Sequence, residues 1–214
     1  MKRLVAIGVA MLARAGAADA HTLDEYVQAL RVEVASARLA VYLDLTPGAN
    51  IATPILQPMD RNADGVLSPT EAEAYARSVL ADVAITLDDH DVRLSLVRVE
   101  MPALEGLRDG QGTIHIEAEV SAAAERGRHR LVIRNGHLPA VSAYLANALL
   151  PRAADNIRIL QQKRDVRQQT FRLDYDVRGV EATAVAWLLS ASIILIMLVC
   201  RRRAAHDAVR CALH

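Results

Sequence analysis

Apolar residues recur at every second position in one segment of this chain after another, and that rhythm restricts its fold more than any single motif does. Leu30, Val32 and Val34 alternate with Arg31 and Glu33, and Leu39, Val41, Leu43 and Leu45 alternate with Ala40, Tyr42 and Asp44. A period of two places one set of side chains on a buried face and the other in water, which is the pattern of a half-buried strand. These two strands, 25–35 and 38–45, are expected to form a hairpin. The rhythm returns over 83–87, 92–100, 113–120, 128–135, 156–161 and 169–177, with turn signals at Thr46-Pro47-Gly48, Asp88-Asp89-His90-Asp91 and Arg126-Gly127. Residues 142–150 read as a helical connection. About eight short strands without regularly interleaved helices predict a mainly β fold, an Ig-like antiparallel β-sandwich.

The rhythm breaks once, between 51 and 80. A short helix is expected over 51–59, with Thr53 as N-cap, Pro54 at the first helical position and Pro58 limiting its length. A second helix is expected over 69–80, where Ala72, Tyr75, Ala76, Val79 and Leu80 make an apolar stripe. Between them runs Asp60-Arg61-Asn62-Ala63-Asp64-Gly65-Val66-Leu67-Ser68-Pro69-Thr70-Glu71. This spacing matches the EF-hand loop, which wraps oxygen donors around calcium. Asp60, Asn62 and Asp64 offer side-chain oxygens from alternate positions, Val66 its carbonyl, Ser68 a direct or water-mediated oxygen, and Glu71 two oxygens from the second helix. Gly65 permits the positive φ at the reversal, and Leu67 pins the loop to the core. The plainer alternative is an acidic loop of Asp and Asn turns without metal. Arg61 and the short first helix point to the weak binding of extracellular modules, about 10⁻⁴ to 10⁻³ M, and so to a structural clamp. No second such loop occurs, so the helix-loop-helix is expected to pack on the sandwich rather than open as a switch.

Both ends of the chain carry different information. Residues 1–20 read as a signal peptide: Lys2 and Arg3, an apolar stretch over 4–13, then Ala18-Asp19-Ala20 before the cleavage point. Residues 182–200 are uncharged and long enough to span a bilayer, with Trp187 near one end and Arg201-Arg202-Arg203 directly after. The arginines assign 201–214 as a cytoplasmic tail and 21–178 as an extracytoplasmic domain, tethered by a single pass through the inner membrane and in contact with its lipid. Cys200 and Cys211 are the only cysteines, so this domain has no disulfide. Lys plus Arg equal Asp plus Glu at 25 each, so no net field draws the chain to nucleic acid.

The mature start His21-Thr22-Leu23-Asp24-Glu25-Tyr26, the Leu45-Thr46-Pro47-Gly48 before the loop, and Asn135-Gly136-His137-Leu138-Pro139 leading to Ser142-Ala143-Tyr144-Leu145 carry a resemblance. Over roughly 21–178 the chain is similar to uncharacterised exported bacterial EF-hand proteins anchored by a C-terminal membrane helix. More distantly it resembles the extracytoplasmic segment of nickel and cobalt transporter-like membrane proteins, from which it departs in having one span. The first resemblance implies a calcium-binding interaction or structural module. A second reading is an accessory role in copper, nickel or cobalt handling for a membrane transporter. For that role, cleavage after Ala20 leaves His21 with an amino group and an imidazole on one residue, a chelate in need of a further ligand from His90, His115, His129 or His137. No hydrolase, zinc-protease, P-loop or dinucleotide motif is present, so the reading is not an enzyme. Lys163, Arg164 and Arg167 form a basic cluster suited to a solvated hairpin end or to anionic headgroups.

Overall fold

Strand β1 (Tyr26–Val34) and strand β2 (Leu39–Pro47) form the expected hairpin, paired antiparallel from Tyr26 opposite Pro47 to Val34 opposite Leu39. The computed structural model describes residues 23–35, 38–120, 125–152 and 156–178. Eight further strands follow: β3 (Val83–Leu87), β4 (His90–Val92), β5 (Ser95–Glu100), β6 (Ile114–Val120), β7 (Gly127–Asn135), β8 (Ser142–Ala148), β9 (Ile157–Arg164) and β10 (Thr170–Val177). They form two five-stranded sheets in a sandwich-like arrangement, one ordered β5-β6-β2-β1-β8 and the other β4-β3-β7-β10-β9. Helices α1 (Ala52–Leu56) and α2 (Pro69–Ala81) lie between β2 and β3, and α3 (Leu104–Arg108) between β5 and β6.

Three expectations are corrected. Residues 142–148 are strand β8, not helix, and they pair parallel to β1, Tyr26 opposite Ser142 through Val32 opposite Ala148, so the sheets are not wholly antiparallel. Alanine and leucine give this segment helical propensity, but Tyr144 and Ala146 are buried at alternate positions and the free edge of β1 supplies a ladder of hydrogen bonds. The run 92–100 splits into β4 and β5 because the chain leaves one sheet and joins the other at Arg93 and Leu94. Thr53 is not an N-cap: the helical turn begins earlier, at Ala49–Ile51, and Thr53 lies inside α1, whose cap position is Ile51 with no side-chain bond.

The core lies between the sheets. Leu30, Val32, Leu43, Leu45, Ile114 and Ile116 face Leu131, Ile133, Phe171, Leu173 and Tyr175, all nearly inaccessible to solvent. Each such side chain contributes about 1.5–3 kcal/mol of transfer free energy. The cluster is drawn from Tyr26 to Val177, so the described residues carry a hydrophobic core of their own, of the kind that lets a domain fold by itself.

The outer edge of β8 is sealed by side chains from β9 and the β9–β10 turn. Ala146 N–H and Ala148 N–H donate to Gln168 and Gln162, while Arg164 donates to the Ala146 carbonyl. Side-chain partners here replace a further strand at an otherwise open edge.

The strand registers define two poles. Tyr26, Pro47, Val83, Asn135 and Thr170 lie at one, because Tyr26 pairs with Pro47, Val83 with Asn135, and Gln28 reaches the His137 carbonyl. Residues 48–82, with the acidic loop, cap this pole. The turns β1–β2 and β3–β4 and the end of β10 lie at the other.

Candidate metal centre

The loop 60–71 is shaped by its own carboxylates. Asp60 accepts hydrogen bonds from the N–H groups of Asp64 (3.2 Å) and Gly65 (2.9 Å), and Asp64 accepts from Val66 N–H at 2.8 Å. Asn62 accepts from Asp64 N–H and donates to the Asp64 carboxylate. Such bonds turn the chain back on itself. Ala63 and Gly65 take positive φ, 56° and 81°. A Cβ on Gly65 would meet nothing within 4 Å, so glycine is required here for conformation and not for room.

The second half of the loop is fixed by the start of α2. Ser68 is its N-cap, Pro69 occupies the first turn, and Ser68 and Glu71 cap each other's N–H groups. Glu71 accepts from the Ser68 hydroxyl (2.7 Å), the Ser68 N–H (3.0 Å) and, with its other oxygen, from Arg61 N–H at 2.9 Å. The buried Glu71 carboxylate therefore bridges the start of the loop to its end. These bonds, the Ser68 hydroxyl first and its amide second, hold the Glu71 acid at a pKa of about 2. Leu67 packs on the core from beneath, and Val66 faces solvent.

Among the described residues no three His, Cys, Asp or Glu side chains are gathered closely enough to hold a metal ion. In the loop the carboxylates are turned to backbone amides instead. The donor chemistry nonetheless suits a hard cation: Asp60, Asn62, Asp64, Val66, Ser68 and Glu71 supply only oxygen. A carboxylate that accepts one amide bond keeps further lone pairs for a second partner.

Behind the loop lies a polar network that alternation alone did not reveal. Tyr75, one turn after Glu71 on α2, meets the Tyr26 hydroxyl at 2.6 Å and His137 Nε2 at 3.2 Å, and His137 Nδ1 lies 2.8 Å from Asp82 at the end of α2. An Asp partner makes Nδ1–H the donor, so in the neutral ring Nε2 accepts from Tyr75, which in turn accepts from Tyr26. Asn135 accepts from His137 N–H and donates to Gln28; Gln28, Ser142 and Tyr144 all donate to the His137 carbonyl. Gln28, Asn135 and His137 are buried. Gly136 N–H donates to the Asp82 carbonyl at 2.8 Å, and a Cβ there would stand 3.1 Å from that oxygen. The segment Asn135-Gly136-His137-Leu138-Pro139 thus clamps the end of α2 and the start of β1 together. Burial, opposed by the hydrogen bond from Tyr26 and aided by the Asp82 charge, pushes the Tyr75 phenol up to about 12, and burial followed by Tyr75 pushes Tyr26 well above the usual phenol value. The sequence signal was Gln28, a polar residue in phase with the inward-facing Tyr26 and Leu30.

The other histidines are engaged internally: His90 with the Asp88 carbonyl, His115 with Asp44, and His129 with Asp88 and the Glu125 carbonyl. His21, the signal segment 1–20, the apolar run 182–200 and the tail 201–214 lie outside the described residues. Among the described residues no helix is long and apolar enough to cross a membrane. No protein-family model matches the chain, and no curated protein matches its sequence.

Proposed function

We propose that this protein is a calcium-stabilised interaction module on the outer face of the cytoplasmic membrane: an Ig-like sandwich capped by a single EF-hand at 60–71 and tethered by 182–200. The observation that carries the reading is the Glu71 carboxylate, drawn back across the loop to Arg61 N–H while its own helix is capped by Ser68. That bond ties the twelfth position of the pattern to the backbone of the second, and all six donors are oxygen. Calcium, when bound, supplies two positive charges that offset the mutual repulsion of Asp60, Asp64 and Glu71. Asp60, Asn62, Asp64, the Val66 carbonyl, Ser68 and Glu71 would hold it, Glu71 from α2. Because α2 is bound through Tyr75 and Asp82 to β1 and to the β7–β8 connection, a clamp on the loop is a clamp on the sandwich. The chain is read as a binding module and not an enzyme.

The test is calorimetric titration of calcium into chelator-stripped residues 21–178, with thermal unfolding followed in both states. One saturable site at about 10⁻⁴ to 10⁻³ M is expected. At a hundredfold excess over Kd the gain is about 2.7 kcal/mol, which for a domain of this size raises Tm by about 5–11 °C. Glu71→Gln should abolish both effects. Absence of binding at millimolar calcium overturns the reading and turns attention to transition-metal chelation by His21, tested by competition against His21→Ala.

A further inference from the structure

The outer faces of the two sheets differ in how their charges are partnered. On the β5-β6-β2-β1-β8 sheet, Arg31 pairs with Asp44 at 2.6 Å, His115 with the same Asp44 at 2.8 Å, and Arg38 lies between Glu33 and Glu117. Cations and anions there neutralise one another. On the β4-β3-β7-β10-β9 sheet Arg130 pairs with Asp174 at 2.9 Å. Nearer the loop-capped pole, Arg134, Arg172 and Lys163 are exposed, and among the described residues no ion pair involves any of them.

The register places these three together. Arg172 on β10 stands directly opposite Lys163 on β9, and Arg134 on β7 stands opposite Thr170, two residues along β10 from Arg172. Like charges directly across a ladder are destabilising, so folding alone does not favour the Arg172–Lys163 pair. Arg128 and Arg158 extend the same face toward the opposite pole, on either side of Asp176. Half-buried Val132 and exposed Leu160 provide apolar contact between them.

We propose that this face is a docking surface for anionic phospholipid headgroups, seating the domain flat on the bilayer that carries its tether. The proposal rests on the reading of 182–200 as a membrane span. Strand β10, which carries Arg172, ends at Val177, and residue 182 follows five positions later, a reach of at most about 18 Å. The face is thus kept within reach of a lipid surface, and guanidinium groups match phosphate geometry. Each cation near an anionic surface is worth about fivefold in partitioning, so the three together account for on the order of a hundredfold.

The experiment is co-sedimentation of residues 21–178 with vesicles of phosphatidylcholine and of phosphatidylcholine mixed equally with phosphatidylglycerol. Binding to the anionic vesicles alone, weakened by salt, is expected. The triple variant Arg134→Ser, Lys163→Ser, Arg172→Ser should lose on the order of a hundredfold in partitioning with its melting temperature unchanged or raised, since the Arg172–Lys163 repulsion is relieved. A variant of equal charge on other surfaces, Arg77→Ser, Arg93→Ser, Arg98→Ser, should keep most of the binding. Equal binding to both vesicle types, equal loss in the two variants, or capture of soluble polyphosphate without vesicle binding would each overturn the proposal. Because this fragment lacks the span, a failed tether is recognised separately, by release of the full chain from membranes in alkaline carbonate.

Discussion

Replacing Tyr75 by Phe removes one hydroxyl and leaves two partners without one. In the relay from Tyr26 through Tyr75 to His137, the Tyr26 hydroxyl loses its acceptor and His137 Nε2 loses its donor. Tyr26 is completely buried and His137 is 5% exposed, so water does not readily replace the lost bonds. Each orphaned group costs about 1–3 kcal/mol, which puts Tyr75→Phe at about 2–4 kcal/mol once easier burial of the phenyl ring is allowed for. Tyr26→Phe should cost only about 1 kcal/mol, because Tyr75 still donates to His137. In the double variant the Tyr26 hydroxyl is no longer present to be orphaned, so the cost falls short of the sum by about 1–2 kcal/mol. Urea unfolding of residues 21–178 in chelator, with linear extrapolation, measures all four corners of this cycle. A Tyr75→Phe cost below about 0.5 kcal/mol, or strict additivity, would refute the relay.

Two pH dependences follow. Glu71 has its folded pKa lowered to about 2 by Ser68 and the loop amides, so its contribution is present above its ordinary value near 4.5 and is lost as pH falls from there through 2. The urea midpoint should decline over that window, and Glu71→Gln should shrink the decline. Tyr75 and Tyr175 are raised to about 12 and Tyr26 well above its usual value, each chiefly by burial. Their contribution is complete below pH 10 and is lost as pH rises through 12, so phenolate absorbance should appear together with unfolding rather than before it.

Where one physical effect dominated a segment, its sequence was enough to assign it. In β1 burial alternates at every residue, and in β2 it does so from Val41 onward. The turn over 60–65 was readable because Asp60, Asn62 and Asp64 stand where their side chains accept from nearby amides and Gly65 takes the positive φ. Strand β8 was misread because its residues suit a helix, and only the free edge of β1, remote in sequence, makes it a strand. Thr53 was misread because a 3₁₀ turn from Ala49 had already started the helix. The polar network was hidden for the same reason as β8. Tyr26, Tyr75 and His137 each look ordinary alone, and their chemistry appears only when three distant segments meet.

The parallel pairing of β1 with β8 also dictates the order in which the domain can be completed. A chain emerging N-terminus first can close the β1–β2 hairpin early, but the other edge of β1 waits until Ala148 is available. The second sheet waits longer still, since β10, the last strand made, is one of its interior strands, between β7 and β9. Contacts so distant along the chain fold slowly and leave exposed edges while they wait. Almost the whole domain must therefore be available before the core can close, and the early strands keep open edges until β10 arrives.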